Sequence, residues 1–254
     1  MKRLVLVLSF FSGLAFIMSD NAWAHDRNYV FTEEYKTLPK NTFELESRTT
    51  LKVPDAGISN ENTWGYEGEL EYGITDRWNI AHYEIWETEN QAGLDDDGIP
   101  KKDTTRYEGF KFETKYRISD KGKLWVDMLF YLELKTKVRP EHRNNVLEGK
   151  IVLSKDFGKF NVTYNQIMES EVDNGGRAEH EFAVGMKYEL FWDITVGAEA
   201  KGNYWKPGSH RNELGLGPTI AYENRFFWIA AGVLFGANNA SDDEQARLMV
   251  GIPF

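Results

Sequence analysis

The residues best suited to chemistry in this chain are ionisable side chains spaced two apart. Glu44, Glu46 and Arg48 recur in this way, as do Glu67, Glu69 and Glu71; His82 with Glu84; Lys111, Glu113, Lys115 and Arg117; and Glu133 with Lys135. Residues two apart share a face of an extended strand, so each set is a stripe of charge along one side of one strand. The same parity adds Asp127, Glu148, Lys150, Glu181, Lys187, Glu189, Glu199, Lys201, Glu213 and Arg247 to the polar side of their strands. Such stripes either line an aqueous path for solutes or form an ion-paired network that fills a polar interior. The acidic stripe of Glu67, Glu69 and Glu71 lies two strands before the basic stripe of Lys111, Lys115 and Arg117, with the strand at 78–88 between them. At ~4.8 Å per strand that is about 10 Å, which predicts that they do not pair throughout and leave part of the interior open to water.

Other chemistries are poorly served. A hydrolase needs a nucleophile, a base and an orienting group within hydrogen-bond reach. His25, His142 and His210 fall at the start of the mature chain or in predicted loops, and Ser154 and Ser170 have no histidine at local spacing. His82 beside Glu84, and His180 between Glu179 and Glu181, lack a matching serine. No catalytic residue is assigned and no enzyme is expected. The run Asp95-Asp96-Asp97-Gly98 lacks the later ligands and bidentate Glu of a calcium loop, and reads as a solvated acidic loop. With no cysteine there is no thiolate site, and neither metal nor cofactor is expected. A net charge of −10 argues against non-specific nucleic-acid binding, which needs a basic surface.

The elements that must position these stripes are strands. Period-two alternation recurs along the chain and helical periodicity is nearly absent. Phe110, Phe112, Tyr116 and Ile118 oppose Lys111, Glu113, Lys115 and Arg117; Val126, Met128, Phe130, Leu132 and Leu134 oppose Asp127, Tyr131, Glu133 and Lys135. Strands are predicted at 42–53, 64–72, 78–88, 107–118, 124–135, 144–156, 159–169, 178–190, 193–205, 211–223, 225–236 and 245–254. Long connections such as 89–104 and 170–177 alternate with tight ones such as Thr75-Asp76-Arg77 and Phe191-Trp192. Long loops at one end and short turns at the other characterise outer-membrane barrels. Aromatics make up 14% of the residues and recur at strand ends, among them Trp64, Trp86, Tyr107, Tyr188 and Trp205, as interfacial girdles require. A soluble barrel would turn its apolar face inward; the continuous apolar faces and the girdle positions favour the membrane form.

The ends of the chain set the compartment. Lys2 and Arg3, the apolar run Leu4 to Met18 and the motif Ala22-Trp23-Ala24 read as a signal peptide cleaved after Ala24. That run is fifteen residues, broken by Ser9, Ser12 and Gly13, and a helical span needs about 20. At the other end Ala246, Leu248, Val250, Ile252 and Phe254 alternate with Arg247, Met249, Gly251 and Pro253, like the terminal strand read by the barrel-assembly machinery, with Phe254 as the assembly signal.

The stretch Glu69-Leu70-Glu71-Tyr72-Gly73-Ile74-Thr75-Asp76-Arg77-Trp78-Asn79-Ile80 and the upstream run from Leu38 to Glu46 resemble outer-membrane proteins grouped with the MetA phenol-degradation pathway. The resemblance implies an outer-membrane barrel acting as a transport channel and brings no ligand residues with it. Physically, Gly73 relieves crowding, Asp76 caps the turn and Arg77 marks the periplasmic edge.

The expected architecture is all-β: a transmembrane antiparallel up-and-down barrel of about 12 strands. Residues 1–24 form the leader, 25–41 a periplasmic or lumen-facing segment, and 42–254 the barrel. The expected function is a passive, porin-like channel for small polar solutes, in a monomer contacting outer-membrane lipid and lipopolysaccharide. The alternatives are a lipid-modifying enzyme or a structural barrel.

Overall fold

The computed structural model describes residues 27–58, 61–90, 104–140, 143–173, 178–205 and 212–254. The expected leader, the run Asp95 to Asp97 and the residues His25, His142 and His210 lie outside them. Twelve antiparallel strands close into one barrel, each bonded to its neighbours in sequence and the last to the first. They are β1 (Phe43–Val53), β2 (Asn62–Thr75), β3 (Trp78–Asn90), β4 (Thr104–Arg117), β5 (Asp127–Lys137) and β6 (Asn144–Phe157), followed by β7 (Phe160–Glu171), β8 (Glu179–Glu189), β9 (Ile194–Trp205), β10 (Leu214–Glu223), β11 (Trp228–Gly236) and β12 (Glu244–Pro253).

The tight turns form where local chemistry allows the chain to reverse. Trp192 and Asp193 both take positive φ, at 56° and 58°, the geometry of the turn that suits the twist of a hairpin. Gly158 takes φ 67° between β6 and β7, in the left-handed region that glycine enters at little cost. The β4–β5 connection is longer than the alternation suggests. Leu124 and Trp125 stay outside the strand, with Trp125 86% exposed, and β5 begins where Asp127 accepts the Gly122 N–H at 2.8 Å. The seam closes at the short-turn end. There Phe43 and Phe254 exchange backbone hydrogen bonds of 3.0 and 2.8 Å, and their rings stack at 5.8 Å.

The outer face is the apolar one. Phe112, Phe130, Leu132, Ile151, Met168 and Ile220 are exposed, forming the lipid-facing band of a membrane barrel. Charged groups turn inward: Glu44, Glu46, Glu69, Glu71, Lys111, Glu113, Lys115 and Glu133 are all buried. One bulge adds to them. Ile85 pairs with Gly109 and Trp86 with Tyr107, leaving Glu108 unpaired and turned into the barrel. Gly109 permits this, at φ 154° and with the Thr136 carbonyl oxygen 1.9 Å from where a Cβ would sit.

The segment before β1, which the sequence leaves either periplasmic or lumen-facing, runs inside the barrel. Tyr29, Val30, Tyr35 and Leu38 are buried. Val30 and Phe31 join Ala221, Trp228, Ala230, Leu234 and Met249 in one apolar cluster, and Tyr35 joins Leu129, Tyr131 and Val152 in another. This barrel's core is its own N-terminal segment.

Candidate functional site in the barrel lumen

The segment is fastened first at the short-turn rim. The Lys40 N–H donates to Asp76 Oδ1 at 2.9 Å, the Thr37 hydroxyl to the Asp76 carbonyl at 2.8 Å, and the Tyr35 hydroxyl to the Ser119 carbonyl at 2.5 Å. The Gly73 site is closed to any side chain, because the Pro39 carbonyl oxygen lies 2.1 Å from where its Cβ would be. The Gly–x–Thr–Asp–Arg turn is thus a dock. The Asp76 carboxylate caps the entering segment, where the sequence suggests that it caps its own turn. Arg77 holds the next connection through Asp120, at 3.0 and 2.7 Å. This two-pronged contact keeps the Asp120 carboxyl below its ordinary range and raises the Arg77 guanidinium.

Deeper in, the wall clasps the segment's backbone. Three successive N–H groups, of Val30, Phe31 and Thr32, donate to the Glu199 carboxylate at 2.9, 2.8 and 2.7 Å. Arg247 donates to the Val30 carbonyl at 2.6 Å and to Thr50 Oγ1 at 3.0 Å. Asn165 accepts the Glu33 N–H at 2.6 Å and donates back to the Glu33 carbonyl at 2.9 Å, and the Tyr29 hydroxyl donates to Asn161 Oδ1 at 3.0 Å. An irregular segment buried in a lumen must find partners for its peptide groups, and these residues supply them. Two wall glycines make room: a Cβ at Gly185 would lie 2.6 Å from the Tyr29 ring, and one at Gly232 would lie 2.6 Å from Val30 Cγ2.

Around the segment lies an ion-pair network. Arg48 reaches Glu46 at 3.1 Å and Glu67 at 3.3 Å; Lys111 reaches Glu67 at 2.9 Å and Glu133 at 3.2 Å; Lys115 reaches Glu71 and Glu113, each at 3.0 Å, and Glu33 at 3.5 Å. Arg27 bonds Glu33 at 3.2 Å and Glu46 at 3.7 Å. The acidic and basic stripes therefore pair at two points, Lys111 with Glu67 and Lys115 with Glu71, and not throughout, since Glu69 takes no such partner. The backbones are two strands apart, but long Lys and Glu side chains span the gap over β3, where Ala81 lies between Glu71 and Glu113 in register. Lys135 stands opposite Lys111 in the register and shares its inward face. Arg117 sits at the rim with its guanidinium 5.6 Å from the Tyr35 ring centre.

Two residues of the expected lining face the other way. His82 and Glu84 lie on the outer surface of β3, their side chains each 42% exposed and 3.0 Å apart. The His82 ring lies 4.9 Å from the outward-facing Phe112, and Glu84 accepts the Tyr107 hydroxyl at 2.5 Å. On β3 it is Asn79, Ala81, Tyr83 and Ile85 that point inward. The strand carries its apolar residues on both faces, so polarity misassigned it. Trp78 and Trp86, which share parity with His82, are the girdle signal that gives the right answer.

The long-loop half of the lumen is not filled. A cavity of about 340 Å³ opens there, with Lys52, Glu169, Glu181, Lys201, Glu213 and Asp242 among its lining residues. Lys201 is paired with Glu181 at 3.0 Å. Beyond the end of β5, Arg139 gathers Glu87, Glu89 and Glu108 at 3.4, 3.2 and 3.1 Å. Ser154, weighed from sequence as a nucleophile, bonds Thr163 at 2.8 Å and Asn161 at 3.0 Å.

A family model described as a family of unknown function (DUF6662) matches residues 21–244. The chain belongs to that family. No curated protein matches it. Among solved structures, this DUF6662 chain is similar to the COG4313 outer membrane channel from Pseudomonas putida F1, with a TM-score of 0.64 at 11% identity, covering 89% of this chain and 100% of that one. It is also similar to the KdgM porin, with a TM-score of 0.56 at 9% identity, covering 83% of this chain and 99% of that one. A second KdgM structure, in complex with disordered oligogalacturonate, gives 0.53 at 9% identity, covering 84% and 98%. At these identities the likeness is one of fold: a twelve-stranded barrel of the outer-membrane type.

Proposed function

We propose that this chain is an outer-membrane channel for small polar solutes, held closed by its own N-terminal segment. The carrying observation is that residues 27–38 thread a polar, charged lumen and are fastened there, through backbone groups by Glu199, Arg247 and Asn165 and through the Thr37 hydroxyl by the Asp76 carbonyl. A barrel of about eight strands is filled by side chains of its own wall, and a wider one has room for more. Here the filling is a separate strand of chain, fixed at a rim and able in principle to withdraw without breaking any barrel pairing. The channel and porin names of the similar folds support this reading, as does the resemblance of the Gly73-to-Arg77 turn to the MetA-pathway proteins. Export by a cleaved leader, assembly read at Phe254 and a monomer among lipid and lipopolysaccharide complete the proposal.

The charge of the cavity suggests which solutes pass. Carboxylates outnumber ammonium groups in its lining, so neutral and cationic solutes are favoured over polyanions such as oligogalacturonate. The test is planar-bilayer recording of the refolded protein and of a variant lacking residues 27–38, each first shown to be folded by heat-modifiable migration. The variant should conduct with cation preference and the intact chain should be closed or nearly so. Equal conductance in both, or a folded variant that does not conduct, would refute the proposal.

A further inference from the structure

In the long-loop half of the lumen, two opposite charges stand on facing walls without a partner. Glu133, Glu148, Glu169 and Glu179 follow one another in register across β5, β6, β7 and β8. Like charges directly opposite on neighbouring strands repel, so such a row needs cations. Glu133 has Lys111 at 3.2 Å, Glu148 has Lys150 at 2.7 Å, and Glu179 accepts the Asn203 amide at 3.0 Å. Glu169 shares the inward face of β7 with the buried Asn165 and Ile167, yet among the described residues it has no ion pair and no side-chain hydrogen bond. On β1, Lys52 shares the inward face of Glu46 and Thr50. Its register partners Thr63 and Gln245 are uncharged, and it too has no ion pair among the described residues. Lys201, the other ammonium group of this cavity, is already spent on Glu181.

We infer that the cavity between Glu169 and Lys52 binds a zwitterionic solute of dipeptide size, with its ammonium group at Glu169 and its carboxylate at Lys52. The inference rests on reading the lumen as a solute path and names the class of solute. In the closed ring β1 and β7 are six strands apart in either direction, so the two charges stand on opposite walls, and both line the same cavity of about 340 Å³. A cube of that volume has an edge of about 7 Å. An extended dipeptide separates its terminal charges by about the same length, at roughly 3.3–3.6 Å per residue. A simple amine would satisfy Glu169 and leave Lys52 unpaired; a simple carboxylate would satisfy Lys52 and meet the glutamate row. A zwitterion satisfies both. It carries no net charge, so the excess of carboxylates in the lining does not repel it, and its dipole lies along the field between the walls. Gln245, in register with Lys52, brings an amide donor to the carboxylate end. Asp242, in the β11–β12 connection, lines the cavity as well and moderates the pull of Lys52 on anions. Such moderate binding suits a path that solutes must also leave.

The full chain, refolded in a non-ionic detergent, is titrated with glycylglycine, and binding is read by ligand-observed saturation-transfer NMR. Two capped probes of the same length follow: glycylglycinamide, which lacks the carboxylate, and N-acetylglycylglycine, which lacks the ammonium group. The zwitterion should bind, and each cap should weaken binding roughly tenfold, the worth of one charge-assisted contact. Lys52→Gln should erase the advantage of the zwitterion over the amide, and Glu169→Gln its advantage over the acetylated probe. Both variants should keep heat-modifiable migration, since neither side chain holds a partner in the wall. No binding of glycylglycine to the intact chain would overturn the site. So would an amide that binds as tightly as the zwitterion, because the lining would then merely collect cations, or unchanged preferences in both folded variants. Binding is measured without any need for conduction. If glycylglycine binds as described while the variant lacking residues 27–38 does not conduct, the site stands and the channel proposal falls; a conducting variant with no such binding removes the site and leaves the channel.

Discussion

Replacing Glu199 by Ala removes the acceptor of three consecutive backbone N–H groups while leaving the barrel ladder intact. A hydrogen bond to a charged group contributes roughly 1.5–3 kcal/mol net. Three bonds sharing one carboxylate are not independent, so we take roughly 3–6 kcal/mol for the set. At about 1.4 kcal/mol per tenfold, the balance between seated and withdrawn segment shifts by roughly 10²–10⁴. Arg247, Asn165 and the Asp76 dock remain, so the expected result is frequent opening, not permanent loss of closure. Single-channel recording reads this directly as open probability, and Glu199→Gln, which keeps one acceptor oxygen, should fall between the two. Suppose Glu199→Ala is folded and opens no more often than the intact chain, while the variant lacking residues 27–38 conducts. The carboxylate clasp would then contribute nothing to closure, and the reasoning would fail.

Gly185→Val places a branched side chain where even a Cβ would be 2.6 Å from the Tyr29 ring; it should raise conductance with the barrel still folded, and a closed, folded variant would count against the seating of Tyr29. Phe130→Arg, at a residue 46% exposed on the outer face, should cost about 2–4 kcal/mol in a bilayer refolding titration if it lies near the midplane; a neutral outcome would mean that this face does not meet lipid. Because Asp120 is held low by Arg77, the ion pair between the two connections is present above the ordinary aspartate value of about 3.9 and is lost only as pH falls through the lower folded value. An NMR titration of the Asp120 carboxyl should show that depressed midpoint, returning upward in Arg77→Gln; an unchanged midpoint would contradict the two-pronged contact.

The barrel was legible because its physics is periodic. Alternation from Phe110 to Ile118 and from Met128 to Leu134 marks both strand and face, and the contrast of long and short connections orders the strands. Legibility ended where a face is decided by neighbours. His82 and Glu84 point out because β3 turns Ala81 and Tyr83 toward the network, and a polarity rule cannot see this. The pairing of Lys111 with Glu67 depends on side-chain reach across an intervening strand, which backbone spacing underestimates. The N-terminal segment has no periodicity of its own, since its peptide groups are met by side chains from several strands and not by one partner strand. Its traces in the sequence are indirect: an aromatic run from Tyr29 to Tyr35 that fits no hairpin, and inward glycines at positions 185 and 232 whose small size has no purpose until the segment is present.

The central claim is that movement of the segment opens the barrel, and a reversible tether tests it most directly. The chain has no cysteine, so Val30→Cys with Gly232→Cys introduces a single pair, at positions where a Cβ on residue 232 would lie 2.6 Å from Val30 Cγ2. One such channel, combined with Glu199→Ala and held in a planar bilayer, should fall silent under oxidant and reopen under reductant, repeatedly. Conductance that ignores the state of that disulfide, once its formation is verified, would contradict the account.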